Sequence, residues 1–502
     1  MTGNAKHKAL IVSPLRPYPP HAGNRRRIEA VCRQLRARGY ELHFIWFAQD
    51  FAGRVSDDDF REMAGAFEQF HVVPYVPETQ GAHGTGLDRD WQPALEAQIR
   101  WCLQNNDYHI MWVNYVLLSK AFDCIQHLPT VGILDTHDIL SGRAALLARN
   151  GVGNEFFSLS EEEEAQGIAR ADIVLGIQEE ETAFFAGLGH TDAMTLQHSA
   201  AGNVLQAGSS GRDDAALTVG IIGSANNIAI ECTRRLLVSL DNQEAVQSGL
   251  LKVRIGGGMS RAFTDLSASW LEVVGTLDDV ADFYASVDMI AVPNSFGTGL
   301  KIKAVEALSY GMPVASTAHG FLGFNSNDRA HKAADEKALA AELGFVAQNP
   351  GELSRLAALT AELFAAYTRK VETQMDEVLE RASALADEKK PRFTSIRAFD
   401  ELSDCGSVIL YGDGEFGKTL LAQMPKALRR RVVAILDGLK PDDRQVAPPR
   451  FHVDSVAGEF SGDETVLLTI HPADWYDICV KLQSLGFEDI RLTHEFAADR
   501  LA

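Results

Sequence analysis

The chain has 502 residues, of which 46% are hydrophobic and 23% are charged, and its formal net charge at pH 7 is −21. At about 150 residues per domain, this length favours about three domains, each able to bury a core of ordinary size. The strong negative charge argues against nonspecific nucleic-acid binding and against a broadly basic face that would adhere to anionic lipid.

The six cysteines lie far apart, and no two of them form a CxxC pair. This spacing indicates neither a zinc site nor a disulfide framework, and it favours a reducing compartment. The N-terminus lacks the apolar region of a signal peptide, and no apolar run approaches the roughly 18 residues of a membrane span. We therefore predict a cytoplasmic protein, with a peripheral contact at the inner face of the membrane left open.

The first 205 residues alternate apolar runs with helical patterns, as in a parallel α/β sheet. Residues 9–13 are a predicted strand, a proline-rich loop follows, and a helix over 25–38 precedes the strand 41–47. Gly23 and Asn24 end the loop, either as a tight turn or as part of a ligand site. Further strands are predicted at 71–74, 110–113, 131–135 and 171–177.

Polar side chains follow the predicted strand 131–135. The carboxyl ends of parallel strands face the ligand crevice of an open sheet, so Asp135, His137, Asp138 and Arg143 are candidate site residues. The alternative is that Asp135 and Asp138 only cap the next helix. Gln178 has a similar ambiguity, because it either lines the cleft or caps the helix after it.

Several charged runs are predicted to be solvated helix faces, since this is the usual role of such runs. They are the arginine runs at 25–27 and 429–431 and the acidic run at 161–164. A linker rich in Gly, Ser and Asp is predicted over 202–214.

The second domain is predicted over 206–390 and is organised around one strand, one glycine loop and one helix. The strand 289–293 leads to Gly297 and Gly299, and a helix over 302–310 follows at once. Backbone N–H groups and the positive end of the helix dipole make such a loop an anion site. Lys301 and Lys303 add positive charge there, which opposes the helix dipole and is explained by a bound diphosphate.

Residues 297–324, GTGLKIKAVEALSYGMPVASTAHGFLGF, resemble the donor-binding segment of GT-B glycosyltransferases, specifically retaining family 4, the glycosyl transferases group 1. The resemblance implies that Lys301 and the loop hold a diphosphate and that Glu306 accepts hydrogen bonds from the ribose. It departs from the usual motif at Thr298, where the family has another glutamate. The remaining alternative is a buried β-α unit without a ligand, since the GxxxxGK[ST] pattern of a P-loop is missing.

The resemblance also implies roles for other residues. It makes His137, Lys301 and Glu306 the catalytic candidates, and Asp135, Asp138 and Arg143 candidates for the sugar or acceptor cleft. The implied donor-binding residues are Gly23, Asn24, Gly223, Ser224, Thr276, Gly297, Thr298, Gly299, Leu300 and Lys303. The chain lacks the Asp-x-Asp spacing of metal-dependent GT-A enzymes, and we predict no catalytic metal.

The implied fold is α/β, with two facing doubly wound domains braced by a helix over 354–388. The implied activity is transfer of a sugar, with retention, from a UDP- or GDP-type nucleotide sugar to a glycan, lipid-linked or protein acceptor in surface polysaccharide or glycoconjugate biosynthesis. Two alternatives stay open: a sugar-nucleotide epimerase of the same fold, and a noncatalytic nucleotide-sugar or dinucleotide sensor. The oligomeric state is not predicted.

A third, Rossmann-like domain is predicted over 391–502. The strand 407–411 is followed by Gly412, Gly414 and Gly417, and the strand 431–436 ends at Asp437. Asp437 lies at about the 20-residue interval that separates a dinucleotide fingerprint from its ribose-binding carboxylate. We predict a small nucleotide-binding or regulatory module with an NAD or nucleotide site, the alternative being a purely structural Rossmann fold.

Overall fold

The computed structural model describes residues 7–493, except 21, 51–54, 77–85, 127, 154–157, 205–215, 278, 390–392, 397, 457 and 472–473. The chain forms two compact units. The larger comprises Met1–Cys124 and Val131–Ser383, and the smaller comprises Ile125–Thr130 and Ala384–Ala502.

The larger unit contains two parallel sheets, and the first has seven strands. These are β1 (Lys8–Ser13), β2 (Glu41–Ala48), β3 (Gln69–Pro74), β4 (Ile110–Asn114), β5 (Val131–Asp135), β6 (Ile173–Gly176) and β7 (Ala193–Thr195). Their order is β3-β2-β1-β4-β5-β6-β7. The accompanying helices are α1 (Gly23–Ala37), α2 (Asp57–Ala66), α3 (Pro93–Asn105), α4 (Arg143–Arg149), α5 (Glu161–Ile168) and α6 (Glu179–Gly187). The central strands β4, β5 and β6 are buried throughout, as expected of strands covered on both faces.

The second sheet has five strands. These are β8 (Leu217–Ile222), β9 (Leu251–Gly256), β10 (Leu271–Gly275), β11 (Met289–Val292) and β12 (Val314–Ser316), in the order β10-β9-β8-β11-β12. Its helices are α7 (Asn227–Leu240), α8 (Glu244–Gln247), α9 (Val280–Ala285), α10 (Ile302–Ser309), α11 (Glu336–Gln348) and α12 (Pro350–Lys389). The strand, glycine loop and helix predicted around residue 297 are therefore confirmed as β11, the loop after it and α10.

The smaller unit contains a third parallel sheet. Its strands are β13 (Phe393–Ser395), β14 (Val408–Tyr411), β15 (Val432–Asp437), β16 (Arg450–His452), β17 (Thr465–Leu468) and β18 (Ile490–Leu492), in the order β13-β18-β17-β14-β15-β16. Its helices are α13 (Glu415–Gln423), α14 (Lys426–Arg429) and α15 (Trp475–Ser484). Three Rossmann-like sheets confirm the predicted α/β fold class.

From the central strand of each sheet, the chain first adds strands to one side and then reverses and adds strands to the other side. The reversals lie between β1 and β4, between β8 and β11, and between β14 and β17. In open α/β sheets, ligands bind outside the carboxyl ends of the strands at such a switch point. The loops after β8, β11 and β14, together with the helix starts that follow β1, β11 and β14, hold most of the predicted site residues.

Helix α12 hydrogen-bonds the segment that follows β7 of the first sheet. The Tyr367 hydroxyl donates to the carbonyl of His198 at 2.7 Å, and the Gln374 side chain accepts from the N–H of Gln197 at 3.0 Å. Both tyrosine and glutamine are buried, so these bonds satisfy polar groups that would otherwise be costly to bury.

The prediction that the acidic run 161–164 is wholly solvated is wrong for Glu164, whose side chain is fully buried. Helix α5 turns Glu164, Gly167 and Ile168 to the same inner face, as their helical spacing requires. The Glu164 carboxylate accepts from the N–H groups of Leu140 (2.9 Å) and Ser141 (2.8 Å). Burial raises its pKa.

All six cysteines are buried and unbridged. Across the described residues, no helix combines the length and apolarity needed to cross a bilayer.

Candidate active site

The loop after β1 brings Gly23 and Asn24 to the second sheet's helix α10. A Cβ on Gly23 would lie 3.3 Å from Cδ1 of Ile302, so glycine permits close approach of the two helix starts. The Asn24 side chain accepts from the N–H of Arg25 at 2.9 Å and hydrogen-bonds the Tyr115 phenol. Both predicted residues therefore lie where the two sheets of the larger unit meet.

The prediction that the arginine run 25–27 is exposed is wrong. Arg25 pairs with Asp50 at 2.7 Å, and Arg27 is 1% exposed and pairs with the fully buried Asp135 at 2.8 Å. Consecutive helical residues point about 100° apart, so the run spreads over several sides of α1. Each guanidinium meets a carboxylate, and Asp135 is thus an ion-pair partner and not a helix cap.

His137 is held in a strained conformation beside Tyr115. Both residues have positive φ, 62° and 70°, and their rings stack with centroids 4.3 Å apart. The Nε2 atom of His137 lies 2.9 Å from Oδ1 of Asn114. Burial lowers the His137 pKa to about 4, so the imidazole is neutral at pH 7. Strained residues of this kind concentrate at functional sites.

Asp138 and Arg143 connect the first sheet to the glycine loop. Asp138 pairs with Arg143, whose Nη1 donates to Oγ1 of Thr298 at 3.0 Å. The residue that precedes α4 is Gly142, so the alternative in which Asp138 caps this helix is wrong. A direct hydrogen bond therefore joins Arg143 and Thr298, which lie 155 positions apart in the chain.

The glycine loop has the positive φ angles that its glycines lead one to expect. Gly297 and Gly299 have φ of 123° and 71°, values that other residues rarely adopt. Lys301 donates to the carbonyls of Thr298 (2.9 Å) and Gly299 (2.7 Å), and burial lowers its pKa. The Leu300 side chain in this loop is buried. The Lys301 ammonium has three N–H donors, so it can hold the loop and still meet an anion.

Glu181 is a site residue that sequence reasoning missed. It lies in the first turn of α6, and its Oε1 accepts from the N–H of Gly299 at 2.8 Å. Only 2% of the residue is exposed, and burial raises its pKa to about 8, with a further contribution from Asp138. The local sequence showed only an acidic helix start, which is ordinary helix chemistry.

Glu181 should make the stability of the larger unit depend on pH. The unfolded carboxyl ionises near 4.5, whereas the folded one holds its proton until about pH 8. Between these values the folded state binds more protons, so this contribution to stability is lost as pH rises. We expect the melting temperature of Glu181→Gln to fall less than that of the wild type between pH 5 and pH 8, by differential scanning fluorimetry.

Glu180→Gln is the matched control, because Glu180 is exposed on the same helix turn. It should follow the wild-type pH profile. Parallel profiles for wild type and Glu181→Gln would contradict the prediction.

Glu306, the predicted ribose ligand, lies on α10 and is 6% exposed. Its carboxylate contacts two positively charged side chains. Its Oε2 accepts from Nζ of Lys303 at 2.7 Å, and its Oε1 pairs with Arg26 of α1. Lys303, expected at the diphosphate, is therefore placed at Glu306.

The other predicted donor residues lie at the ends of neighbouring strands. Gly223 and Ser224 follow β8, and the N–H of Gly223 donates to the carbonyl of Gly256 at 3.3 Å. Ser224 is exposed, as is Thr276 at the end of β10. A Cβ on Gly297 would lie 3.4 Å from Ile228 of α7, so the glycine loop packs on the helix that follows β8.

In the smaller unit, two of the three fingerprint glycines are required by packing. Gly412 has φ of 111°, and a Cβ on Gly417 would lie 2.1 Å from the carbonyl oxygen of Gly412, whereas Gly414 has open space. Asp437 accepts from the N–H groups of Asp413 (2.9 Å), Leu439 (2.8 Å) and Lys440 (2.9 Å). Both of its oxygens are thus engaged by the protein's own backbone, and nucleotide binding in this unit stays a prediction.

The described residues include no group of three His, Cys, Asp or Glu side chains that could hold a metal ion.

Residues 218–349 match the sequence profile of a family described as glycosyl transferases group 1. None of the curated protein sequences matches the chain. The matched segment contains β8 to β12, the glycine loop and α10.

Solved structures of three proteins are similar over most of the chain. Sucrose-phosphate synthase from Thermosynechococcus elongatus is 15% identical with a TM-score of 0.55, covering 76% of this chain and 100% of that one. HepE from Anabaena, in complex with UDP and glucose, is 12% identical with a TM-score of 0.52, covering 75% and 100%. A mutant of TarM from S. aureus, in complex with fondaparinux, alpha-GlcNAc-glycerol and UDP, is 9% identical with a TM-score of 0.53, covering 76% and 100%. At these identities the likeness establishes the shared fold.

Proposed function

We propose that this chain, which shares the fold of GT-B glycosyltransferase structures and matches the glycosyl transferases group 1 profile over residues 218–349, moves a sugar from a nucleoside-diphosphate sugar to a glycan, lipid-linked or protein acceptor. One observation carries the proposal. The glycine loop and Lys301 meet the Asp138 and Arg143 side chains of the first sheet, so the anion site adjoins a polar surface that can receive an acceptor.

The donor diphosphate would bind at the start of α10. The loop N–H groups and the helix dipole favour negative charge there, and Lys301 supplies a full positive charge. As the bond between sugar and phosphate breaks, charge builds on the diphosphate, and these groups stabilise it without a metal. Glu306 is suited to the ribose, because one carboxylate can accept from two vicinal hydroxyls. UDP in the HepE and TarM complexes supports uracil as the base.

His137 is suited to contact the donor sugar. Its neutral imidazole donates through Nε2 to Oδ1 of Asn114, so Nδ1 can accept a hydrogen bond from a sugar hydroxyl. We assign no covalent nucleophile, and we propose transfer with retention. Closure of the cleft would exclude water and limit hydrolysis of the donor.

The full chain should be screened by thermal shift against UDP, GDP, ADP, CMP and NAD. A ligand that binds only the native state stabilises it by mass action, by about 2.7 kcal/mol at one hundred times its Kd. We expect UDP to raise the melting temperature most and Glu306→Gln to reduce that shift.

Candidate UDP-sugars should then be incubated with the protein, and released UDP should be measured with and without glycan acceptors. Release that depends on an acceptor supports transfer, and an altered nucleotide sugar formed without any acceptor would indicate an epimerase. If only NAD raises the melting temperature, the transferase proposal is wrong and the sensor alternative replaces it.

A further inference from the structure

Arg26 lies at the candidate donor site although it belongs to the first sheet's helix α1. Its Nε donates to the carbonyl of Pro20 at 2.9 Å, which fixes the stem of the guanidinium, and its Nη1 forms an ion pair with Glu306. The neighbouring arginines of the same run point elsewhere, since Arg25 meets Asp50 and Arg27 meets Asp135. Among the ion pairs that the described residues form with these three arginines, only that of Arg26 reaches helix α10 of the second sheet.

The charges around Glu306 are unbalanced in favour of an anion. One carboxylate serves two cations, Arg26 and Lys303, and only about a fifth of the Arg26 side chain and a quarter of the Lys303 side chain are exposed. Burial and the nearby Arg26 charge both lower the pKa of Lys303. Cations that are poorly hydrated and share one counter-ion gain most from a further negative group.

A second polar group at this place, the Tyr284 hydroxyl, lacks a hydrogen-bond partner among the described residues. The Tyr284 side chain is fully buried, interacts electrostatically with Arg26, and stacks on Tyr310 with ring centroids 4.5 Å apart. Within the described part of the chain its hydroxyl makes no hydrogen bond. A buried hydroxyl without a partner is costly, and it is explained if a ligand supplies one.

We propose that Arg26 is a donor-binding residue. In the nucleotide-free protein its guanidinium pairs with Glu306, and when the donor binds, the ribose replaces the guanidinium at Glu306 and the guanidinium binds the diphosphate. This inference rests on the proposed function of the same site. In this exchange, Glu306 and Arg26 each lose one favourable contact and gain another. A ribose diol replaces the guanidinium on Glu306, and the diphosphate replaces Glu306 on Arg26, where a guanidinium can bind phosphate oxygens through two N–H groups at once.

The exchange predicts that Arg26→Gln weakens the binding of the nucleotide and does not weaken the binding of the nucleoside. Arg26→Gln removes a phosphate ligand, so it should weaken UDP binding about tenfold to a hundredfold, the range of one charge-assisted hydrogen bond. The same substitution frees Oε1 of Glu306 from Arg26 and leaves only the Lys303 contact at Oε2, so uridine should bind as tightly as to the wild type or several-fold more tightly. Kd values by isothermal titration calorimetry give both results, with GDP and guanosine used if guanine is the base.

Arg25→Gln is the matched control, because it removes one arginine from the adjacent position of the same helix. It should leave both Kd values unchanged. Arg26→Lys keeps a positive charge and should recover part of the UDP affinity, and it also serves if Arg26→Gln does not fold.

Equal weakening of UDP and uridine, or no change in UDP affinity, would overturn the inference. A different result would contradict the proposed function itself: binding of none of the nucleoside diphosphates by the wild type.

Discussion

Arg27→Ala should destabilise the larger unit by about 3–5 kcal/mol, because it leaves the fully buried Asp135 carboxylate without its partner. The Arg27 guanidinium donates through Nε to both oxygens of Asp135 at 2.9 Å, and through Nη2 to the carbonyl of Leu196 at 3.0 Å. Removing one member of such a pair costs far more than the pair contributes, since an unpaired charge must stay out of water. Urea denaturation followed by circular dichroism measures the loss.

The double variant Arg27→Met with Asp135→Leu distinguishes the charge from the packing. It removes both ions, so it should recover most of the stability lost in Arg27→Ala. Arg33→Ala is the control on the same helix, because Arg33 pairs with Glu29 at the surface and should change the free energy of unfolding by at most about 0.5 kcal/mol. A small effect of Arg27→Ala would mean that Asp135 is reached by water or is neutral.

Lys301→Met should reduce kcat about a hundredfold to a thousandfold, the range found when one preorganised group that stabilises developing charge is removed. Lys301 is the only described lysine that donates to the glycine loop, through the carbonyls of Thr298 and Gly299. The substitution removes the charge at the leaving diphosphate and also one restraint on the loop. Initial rates of UDP release at saturating donor and acceptor give kcat.

Lys332→Met is the matched control, because the exposed Lys332 bonds only to Asn327 among the partners seen and lies outside the candidate site. It should keep the wild-type rate. The melting temperature of Lys301→Met should be measured as well, since a folded variant with a kcat near that of the wild type would remove Lys301 from the catalytic candidates.

The sequence by itself determined the fold class and the strand, glycine loop and helix around residue 297. Buried strands covered on both faces appear as short apolar runs, and the helices between them carry a helical period, so local patterns were enough. The glycine loop was also a local signal. Gly297 and Gly299 take the backbone conformations that only glycine adopts readily, and Lys301 stands at the start of α10 as predicted.

Only the tertiary structure decided which charged side chains belong to the site. Glu181 meets Gly299 across 118 positions, and Arg27 meets Asp135 across 108. Neither partner changes the periodicity around the other, so the run at 25–27 resembled a solvated helix face and Glu181 resembled part of an ordinary acidic helix start. Asp437 had the spacing of a ribose ligand, yet its oxygens accept from backbone N–H groups. A local sequence pattern determines the backbone conformation of a helix or strand. The partner of a charged side chain depends instead on which strand ends the order of strands in the sheet brings close together.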